Sequence, residues 1–164
     1  MANRSRRSYE WQVHCGAVVA RPTNTQFALA VHMLTLLAGS APAQLSSEEM
    51  AGSAGSSPVH VRRVLGGLRQ AGLVASRPGV GGGWSLLADP RTTTLADVWR
   101  VVNGEDPVLG LHGANPDCVV GQGVQAALVA VDRRAAHAIE AELATTTIAE
   151  LVAAAAGADL RRAS

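Results

Sequence analysis

The most informative segment of the sequence is SPVHVRRVLGGLRQ, residues 57–70. Ser57 is a favoured helix N-cap, and Pro58 fits the first helical position, where its missing N–H costs nothing. Apolar residues then recur at i, i+3, i+4 and i+7, the period of a helix with one face in a core. They are Val61, Val64, Leu65 and Leu68. The other face is polar and basic, and it carries His60, Arg63 and Gln70, with Arg62 on its flank.

A shorter helix precedes this one across a tight turn. Ser46 and Glu49 have the spacing of a capping box, which predicts a helix start, and Gly55 marks its end. A helix further upstream begins near Thr25 and stops at Gly39. Two helices joined by a glycine turn, the second with an arginine-bearing outer face, predict a helix-turn-helix.

A glycine-rich hairpin follows the second helix. Residues 73–76 and 84–87 have the composition of two antiparallel strands, and the loop RPGVGGG between them spans 77–83. A glycine-dense loop that carries an arginine can lie against a phosphate backbone or enter a minor groove. The hairpin therefore predicts the wing of a winged helix-turn-helix, a DNA-binding unit.

The C-terminal half is predicted to be helical. Thr94 caps a helix that Gly104 closes, residues 105–117 form a loop, and a long helix runs over 119–143. A last helix begins at 147 and ends near Gly157. The apolar spacing of the long helix approximates the 3.5-residue repeat that suits pairing with a second copy. The positions expected at that dimer contact are Val124, Leu128, Val131, Ala135 and Ile139.

The predicted fold class is mostly α with a small β-hairpin wing, a winged helix-turn-helix followed by a long C-terminal dimerisation helix. Residues 24–90 form the DNA-binding domain, 91–118 a linking helix and sensor loop, 119–157 the dimerisation helices, and 158–164 a tail. Residues 1–23 lack sustained periodicity. We interpret them as a disordered arm, or as an upstream extension outside the folded protein.

Composition adds little about function. The formal net charge is +1, and all 14 basic residues are arginine. Arginine is the better bidentate partner for phosphates and guanine edges, but a GC-rich genome would explain the bias as well. Two distant cysteines, Cys15 and Cys118, suggest a reducing cytoplasm. The segment SRRS at 5–8 is not followed by an apolar region, which argues against export, and no run is long enough to span a membrane. We expect a cytoplasmic protein associated with the nucleoid.

With these motifs the sequence resembles the Rrf-type ("Rrf two") regulators. The resemblance is carried by VRRVL at 61–65, LRQAGLV at 68–74, GGGWSL at 81–86 and TLADV at 94–98, and it covers most of 24–156. That family includes repressors of iron–sulfur cluster biogenesis, the nitric oxide response and cysteine metabolism. The resemblance implies a homodimeric repressor whose long helix crosses its mate, and whose two recognition helices enter successive major grooves of an operator.

Motif positions in the family imply which residues face double-stranded DNA. On the helix they are Ser56, Ser57, His60, Arg62 and Arg63, and in the wing Arg77, Gly79, Gly81 and Gly82. The wing departs from the family pattern, because Pro78 replaces a glycine and the loop is one residue longer. The wing contact itself is therefore the part that the resemblance specifies least.

The sensor region departs further. Cluster-binding members of the family carry three cysteines after the fourth helix, whereas this chain has Cys118 alone there, in NPDC at 115–118. One thiolate is a poor anchor for a cluster that takes four ligands, and the spacing of His112 and His137 from it matches no metal motif. We expect no metal or cofactor, as in the family's single-cysteine, cluster-free branch.

Cys118 lies where a proline-containing loop meets a helix start. The N–H groups there favour a thiolate, while Asp117 opposes it. One hypothesis is a switch in which a small oxidant or electrophile modifies Cys118 and shifts the helix that spaces the two DNA-binding units. The alternative is a buried small hydrophobe that holds the loop to the helix.

Together these features predict a homodimeric, sequence-specific transcriptional regulator rather than an enzyme. A Cys118 nucleophile with His112 as base lacks a third, orienting group. The alternative function is a winged-helix subunit that binds only protein. Arg62, Arg63 and Arg77 argue against it, because a protein contact would favour apolar residues there.

Overall fold

The computed structural model describes residues 25–79, 81–111 and 113–162, without the side chains of 158–162. The predicted N-terminal arm, Cys15 and His112 lie outside this part of the chain. The elements in chain order are α1 (Thr25–Ser40), α2 (Ser47–Ala54), α3 (Pro58–Gln70), β1 (Val74–Arg77), β2 (Gly83–Leu86), α4 (Leu95–Asn103), α5 (Val119–Leu143) and α6 (Ile148–Arg162).

Most helix boundaries agree with the predictions from the sequence. The Ser46–Glu49 capping box opens α2 and left-handed Gly55 closes it. Ser57 is the N-cap of α3 with Pro58 in its first turn, and Thr94 caps α4. These features are confirmed because each cap depends on residues within one turn of the helix end.

Two boundaries differ from prediction. Both strands begin one residue away from the predicted positions, because the hairpin register pairs Val74 with Leu86 and Arg77 with Gly83. The last helix continues to Arg162 instead of ending near Gly157. A single glycine inside a helix costs only about 1 kcal/mol relative to alanine, so Gly157 does not stop it.

The core surrounds α1. Its residues Leu29, Ala30, Met33, Leu34 and Leu37 are buried. The predicted apolar face of α3 is confirmed, since all four of its members are buried as well. Met50 of α2, Val74 of β1, Val98 of α4 and Ile148 of α6 complete the same cluster. The wing and α3 are thus mounted on one continuous core.

The chain returns to the start of α4 before it enters α6. The Leu95 amide donates to the Thr146 carbonyl at 2.9 Å, and the Ile148 amide donates to the Thr93 carbonyl at 3.0 Å. Thr147 and Glu150 cap α6 at the predicted start of the last helix. Through Ile148, which is buried, α6 shares the core of the helix-turn-helix.

The 25-residue helix α5 contains no buried residue in this single chain. Its contacts with the rest of the protein lie along one side. The Leu109 amide donates to Asp132 Oδ1 at 2.6 Å, and Arg100 donates to Glu140 at 3.1 Å. Within the described residues, no helix has both the length and the apolarity to cross a membrane.

Candidate DNA interface

The turn between α2 and α3 is short and closed by local hydrogen bonds. Gly55 has φ 58° and ψ 36°, a left-handed conformation that glycine adopts without a steric penalty. The Ser56 amide donates to the Ala51 carbonyl at 3.0 Å, and the His60 amide donates to Ser57 Oγ at 3.2 Å. These bonds fix the direction in which α3 leaves the turn.

The outward face of α3 is opposite its buried stripe. At 100° per residue, Val59, Arg63, Gly66 and Gln70 fall on one line along the helix, and Arg62 lies beside it. Val59, Arg63, Gln70 and Arg62 are exposed. Arg63 forms no ion pair with any described residue. The helix therefore presents a guanidinium that is available to a partner.

Arg62 lies next to an acid from the preceding helix. Its Nη1 donates to Glu48 Oε1 at 2.9 Å, and the two side chains are 50% and 64% exposed. Exposed pairs of this kind contribute only about 0–1 kcal/mol. Arg62 can therefore exchange the carboxylate for a phosphate or a base edge at small cost.

His60 occupies a different position from the two arginines. It is half-buried, its Nδ1 lies 3.4 Å from Ser56 Oγ, and its Nε2 is buried without a hydrogen-bond partner. The ring lines a cavity of about 410 Å³ toward α1, together with Thr25 and His32. The structure thus does not bring His60 together with Arg62 and Arg63. Ser56 is half-buried, whereas Ser57 is exposed at the cap.

The wing projects beside the end of α3. Arg77, Gly79 and Gly81 are exposed in it, and Arg77 pairs across the hairpin with Gly83. A Cβ on Gly82 would lie 2.1 Å from the Arg77 carbonyl oxygen, so the loop is compatible only with glycine there. Arg69 Nη1 donates to Ser76 Oγ at 3.1 Å, which ties α3 to the wing.

A second contact holds the base of the wing and was not anticipated from the sequence. Leu45 and Trp84 exchange two backbone hydrogen bonds, at 3.1 and 2.8 Å. The Trp84 indole N–H donates to Ser47 Oγ at 3.1 Å, and a Cβ on Gly83 would lie 2.8 Å from the Leu45 carbonyl oxygen. The segment before α2 thus forms a single antiparallel bridge with β2. Sequence pattern alone offers no signal for such a single bridge.

Cys118 lies at the predicted helix start. It is the N-cap of α5, and its Sγ accepts the Gly121 amide at 3.3 Å. The thiol is free and exposed. In this single chain Cys118 is therefore exposed and is not the buried small hydrophobe of the alternative interpretation.

The five predicted dimer positions lie along one stripe of α5, within about 80° at 100° per residue, but they differ in exposure. Val124 and Val131 are 47% and 40% exposed. Leu128, Ala135 and Ile139 are half-buried, in step with Asp132 and Glu140, which bond to the rest of the chain. We call the side of α5 that carries Val120, Val124 and Val131 its outer face. Val120 is also exposed, at 75%, so this face is apolar and uncovered in the single chain.

A winged helix-turn-helix of this architecture matches known proteins. The model of the Rrf2 family, described as iron-dependent transcriptional regulators, matches residues 23–154. The chain belongs to the Rrf2 family. It is similar to the HTH-type transcriptional regulator YwnA of Bacillus subtilis (strain 168), with 35% identity over 130 residues that cover 79% of this chain and 96% of the relative.

Solved structures agree with this assignment. A crystallised DNA-binding protein shares 34% identity with a TM-score of 0.62, covering 77% of this chain and 98% of its own. CymR (YrzC), the global cysteine regulator of B. subtilis, has 23% identity and a TM-score of 0.57, covering 79% and 94%. The second likeness concerns the fold alone. The mostly helical fold with a two-stranded wing and the assignment as a transcriptional regulator, not an enzyme, are confirmed.

The iron in the family's description does not fit the residues found here. The sequence contains two cysteines, and an iron–sulfur cluster takes four thiolate or imidazole ligands. In the described ranges, no three histidine, cysteine or acidic side chains gather into a metal-binding group. Cys118 is instead engaged as a helix cap, and the described residues do not provide the ligands of an iron–sulfur cluster.

Proposed function

We propose that this protein is a homodimeric repressor that binds a specific DNA operator. The observation that carries the proposal is the outward face of α3. Arg63 is exposed and unpaired among the described residues, and Arg62 is held by an exposed, weak pair. Arginine donates two parallel hydrogen bonds to guanine O6 and N7, the commonest specific contact in the major groove.

The proposed interface combines helix and wing. Ser57, Arg62 and Arg63 contact bases and nearby phosphates, while Arg77 and the backbone of Gly79, Gly81 and Gly82 contact the sugar–phosphate backbone. We place Ser56 and His60 beneath this surface, where they set the angle of the turn. The core shared by α1, α3 and β1 fixes the position of the wing relative to the recognition helix.

Dimerisation through α5 is the second part of the proposal. Val124 and Val131 are exposed apolar residues one heptad apart on the outer face, and a second copy of the same helix would cover them. Two recognition helices could then contact two half-sites about one helical turn apart on the DNA. Occupation of a promoter in this way excludes polymerase, which is the proposed basis of repression in the cytoplasm.

A third part concerns Cys118, whose exposed thiol caps α5. A peroxide would convert the thiolate to a sulfenic acid and release hydroxide, which alters the cap of the proposed dimer helix. Cys118→Ser keeps a capping side chain without the thiol chemistry. We expect peroxide to weaken operator binding by the wild type and to leave the serine variant unchanged in a gel shift. An equal response of both proteins would remove Cys118 from the mechanism.

Selection from a random duplex library tests specific DNA binding, and Arg63→Ala then tests the carrying observation. We expect a loss of about 1–3 kcal/mol at each half-site, and a shallower salt dependence. Arg133→Ala is the control, because Arg133 is exposed on α5, away from α3. If no duplex is enriched, the protein-binding alternative gains over the DNA-binding proposal. If a duplex is enriched but Arg63→Ala binds it like Arg133→Ala, Arg63 does not contact the bases.

A further inference from the structure

An exposed apolar side chain interrupts the polar outer face of the recognition helix. Val59, at the second position of α3, is 71% exposed. It lies one turn before Arg63 on the line that runs directly opposite the buried stripe. Arg62 lies three residues after Val59, beside this line, and is also exposed. An isopropyl group therefore stands between the capped turn and the two arginines.

The fold of this chain does not require valine at position 59. The core contacts of α3 come from the buried stripe, of which Val59 is not a member. Valine is also a poorer helix former than alanine or the charged residues that suit an exposed site. None of the described residues covers this apolar surface, so it is available to a partner outside the chain.

The position of Val59 indicates what that partner surface is. The N-terminal residues of a recognition helix are those that reach base edges in the major groove. Side chains in a helix also tilt toward its N-terminus, which carries Val59 further toward the bases. Among the base edges in that groove, the apolar group is the C5-methyl of thymine.

We propose that Val59 is a specificity-determining residue that selects thymine in each half-site through contact with its 5-methyl group. Valine has no side-chain donor or acceptor, so it cannot discriminate the other base edges by hydrogen bonding. Arg63 and Arg62 supply that hydrogen-bonding recognition next to it. The proposal rests on the proposed function, because it specifies one contact of the same DNA interface.

The test uses the full chain and a duplex selected by it from a random library. Each thymine of a half-site is replaced in turn by deoxyuridine, which lacks only the 5-methyl group. We expect replacement at one position per half-site to weaken binding about fourfold, the effect of removing one buried methyl-sized group from the contact. In Val59→Ala the same replacement should have no effect, while binding to the deoxyuridine duplex stays close to that of the wild type.

Val119→Ala is the matched control, since Val119 is 83% exposed near the start of another helix, α5. It should keep the full sensitivity to deoxyuridine. The proposal is overturned if no thymine position is sensitive, or if Val59→Ala retains the sensitivity of the wild type. If no duplex is enriched at all, the failure lies with the proposed DNA binding itself. Thermal unfolding of each variant verifies that the helix is intact.

Discussion

Removal of the Glu48 charge should tighten DNA binding. In the free protein the Glu48 carboxylate holds Arg62 at 2.9 Å in a half-exposed ion pair, and Arg62 must leave it to contact DNA. Pairs of this exposure contribute about 0.2–1 kcal/mol. Glu48→Gln should therefore strengthen binding by about 1.4-fold to fivefold per half-site. For two half-sites of a dimer, the factor is about twofold to thirtyfold.

Fluorescence anisotropy with the selected duplex across a salt series measures this change. The gain should shrink as salt rises, because screening weakens both the ion pair and the repulsion between Glu48 and phosphates. Glu105→Gln is the control, since it removes the same charge from an exposed residue just after α4. Equal affinities for the two variants would show that Glu48 does not restrain Arg62.

A weaker affinity of Glu48→Gln would contradict the prediction outright, because it would mean that the pair persists on DNA and orients Arg62 for recognition. Stability has to be measured alongside affinity. Glu48 is in the first turn of α2, where an acid interacts favourably with the helix dipole by about 0.3–1 kcal/mol. Loss of the ion pair with Arg62 adds about 0.2–1 kcal/mol, so the midpoint of thermal unfolding should fall by no more than about 8 °C.

Three further predictions concern the stability of the fold. Gly66→Ala should raise the free energy of unfolding by about 0.5–1 kcal/mol, because its Cβ would meet nothing within 4 Å. A lower midpoint of thermal unfolding would contradict this, because it would mean that the added methyl group collides with a neighbour. The Thr94 hydroxyl and amide hold the pKa of Asp97 below its ordinary value of 3.8. The pKa of Asp97 is thus lower in the folded state than in the unfolded state, so this stabilisation is present above about pH 3.8 and is lost as the pH falls through the folded pKa. Measured by urea unfolding, the stability of Asp97→Asn should fall less on acidification than that of the wild type. An identical pH dependence of the two proteins would contradict this. Trp84→Phe removes the donor to Ser47, which is 5% exposed, and should cost about 1–3 kcal/mol in urea unfolding; if the hydrogen bond is responsible, the same change should cost clearly less in a Ser47→Ala background.

The predictable part of the fold consists of features that depend on near neighbours in the chain. The caps at Ser46, Ser57 and Thr94, and the buried stripe of α3, each involve residues three or four positions apart. Helix period and cap chemistry leave few alternatives at that range. The strand ends were less well predicted, because a two-stranded register depends on the loop between the strands as well as on the strands.

In the candidate site, too, some features could be predicted from near neighbours in the chain and others could not. The exposure of Arg62 and Arg63 followed from their place opposite the stripe. The orientation of His60 did not, since its ring turns toward a cavity that α1 forms with the turn. The outward position of Val59 follows from the same helix geometry, and the structure adds that its side chain is 71% exposed.

The helix-turn-helix, the glycine-rich wing and the long helix could be predicted from the sequence, because periodicity, caps and turn residues act within a few positions along the chain. The folded structure was needed to show that Leu45 and Ser47 anchor the wing through Trp84, that α6 shares the core with α1, and that Glu48 pairs with Arg62. Each of these contacts joins residues at least 14 positions apart, as the Arg62–Glu48 pair does. Such pairs meet only after the core has brought their elements together, so no local pattern specifies them.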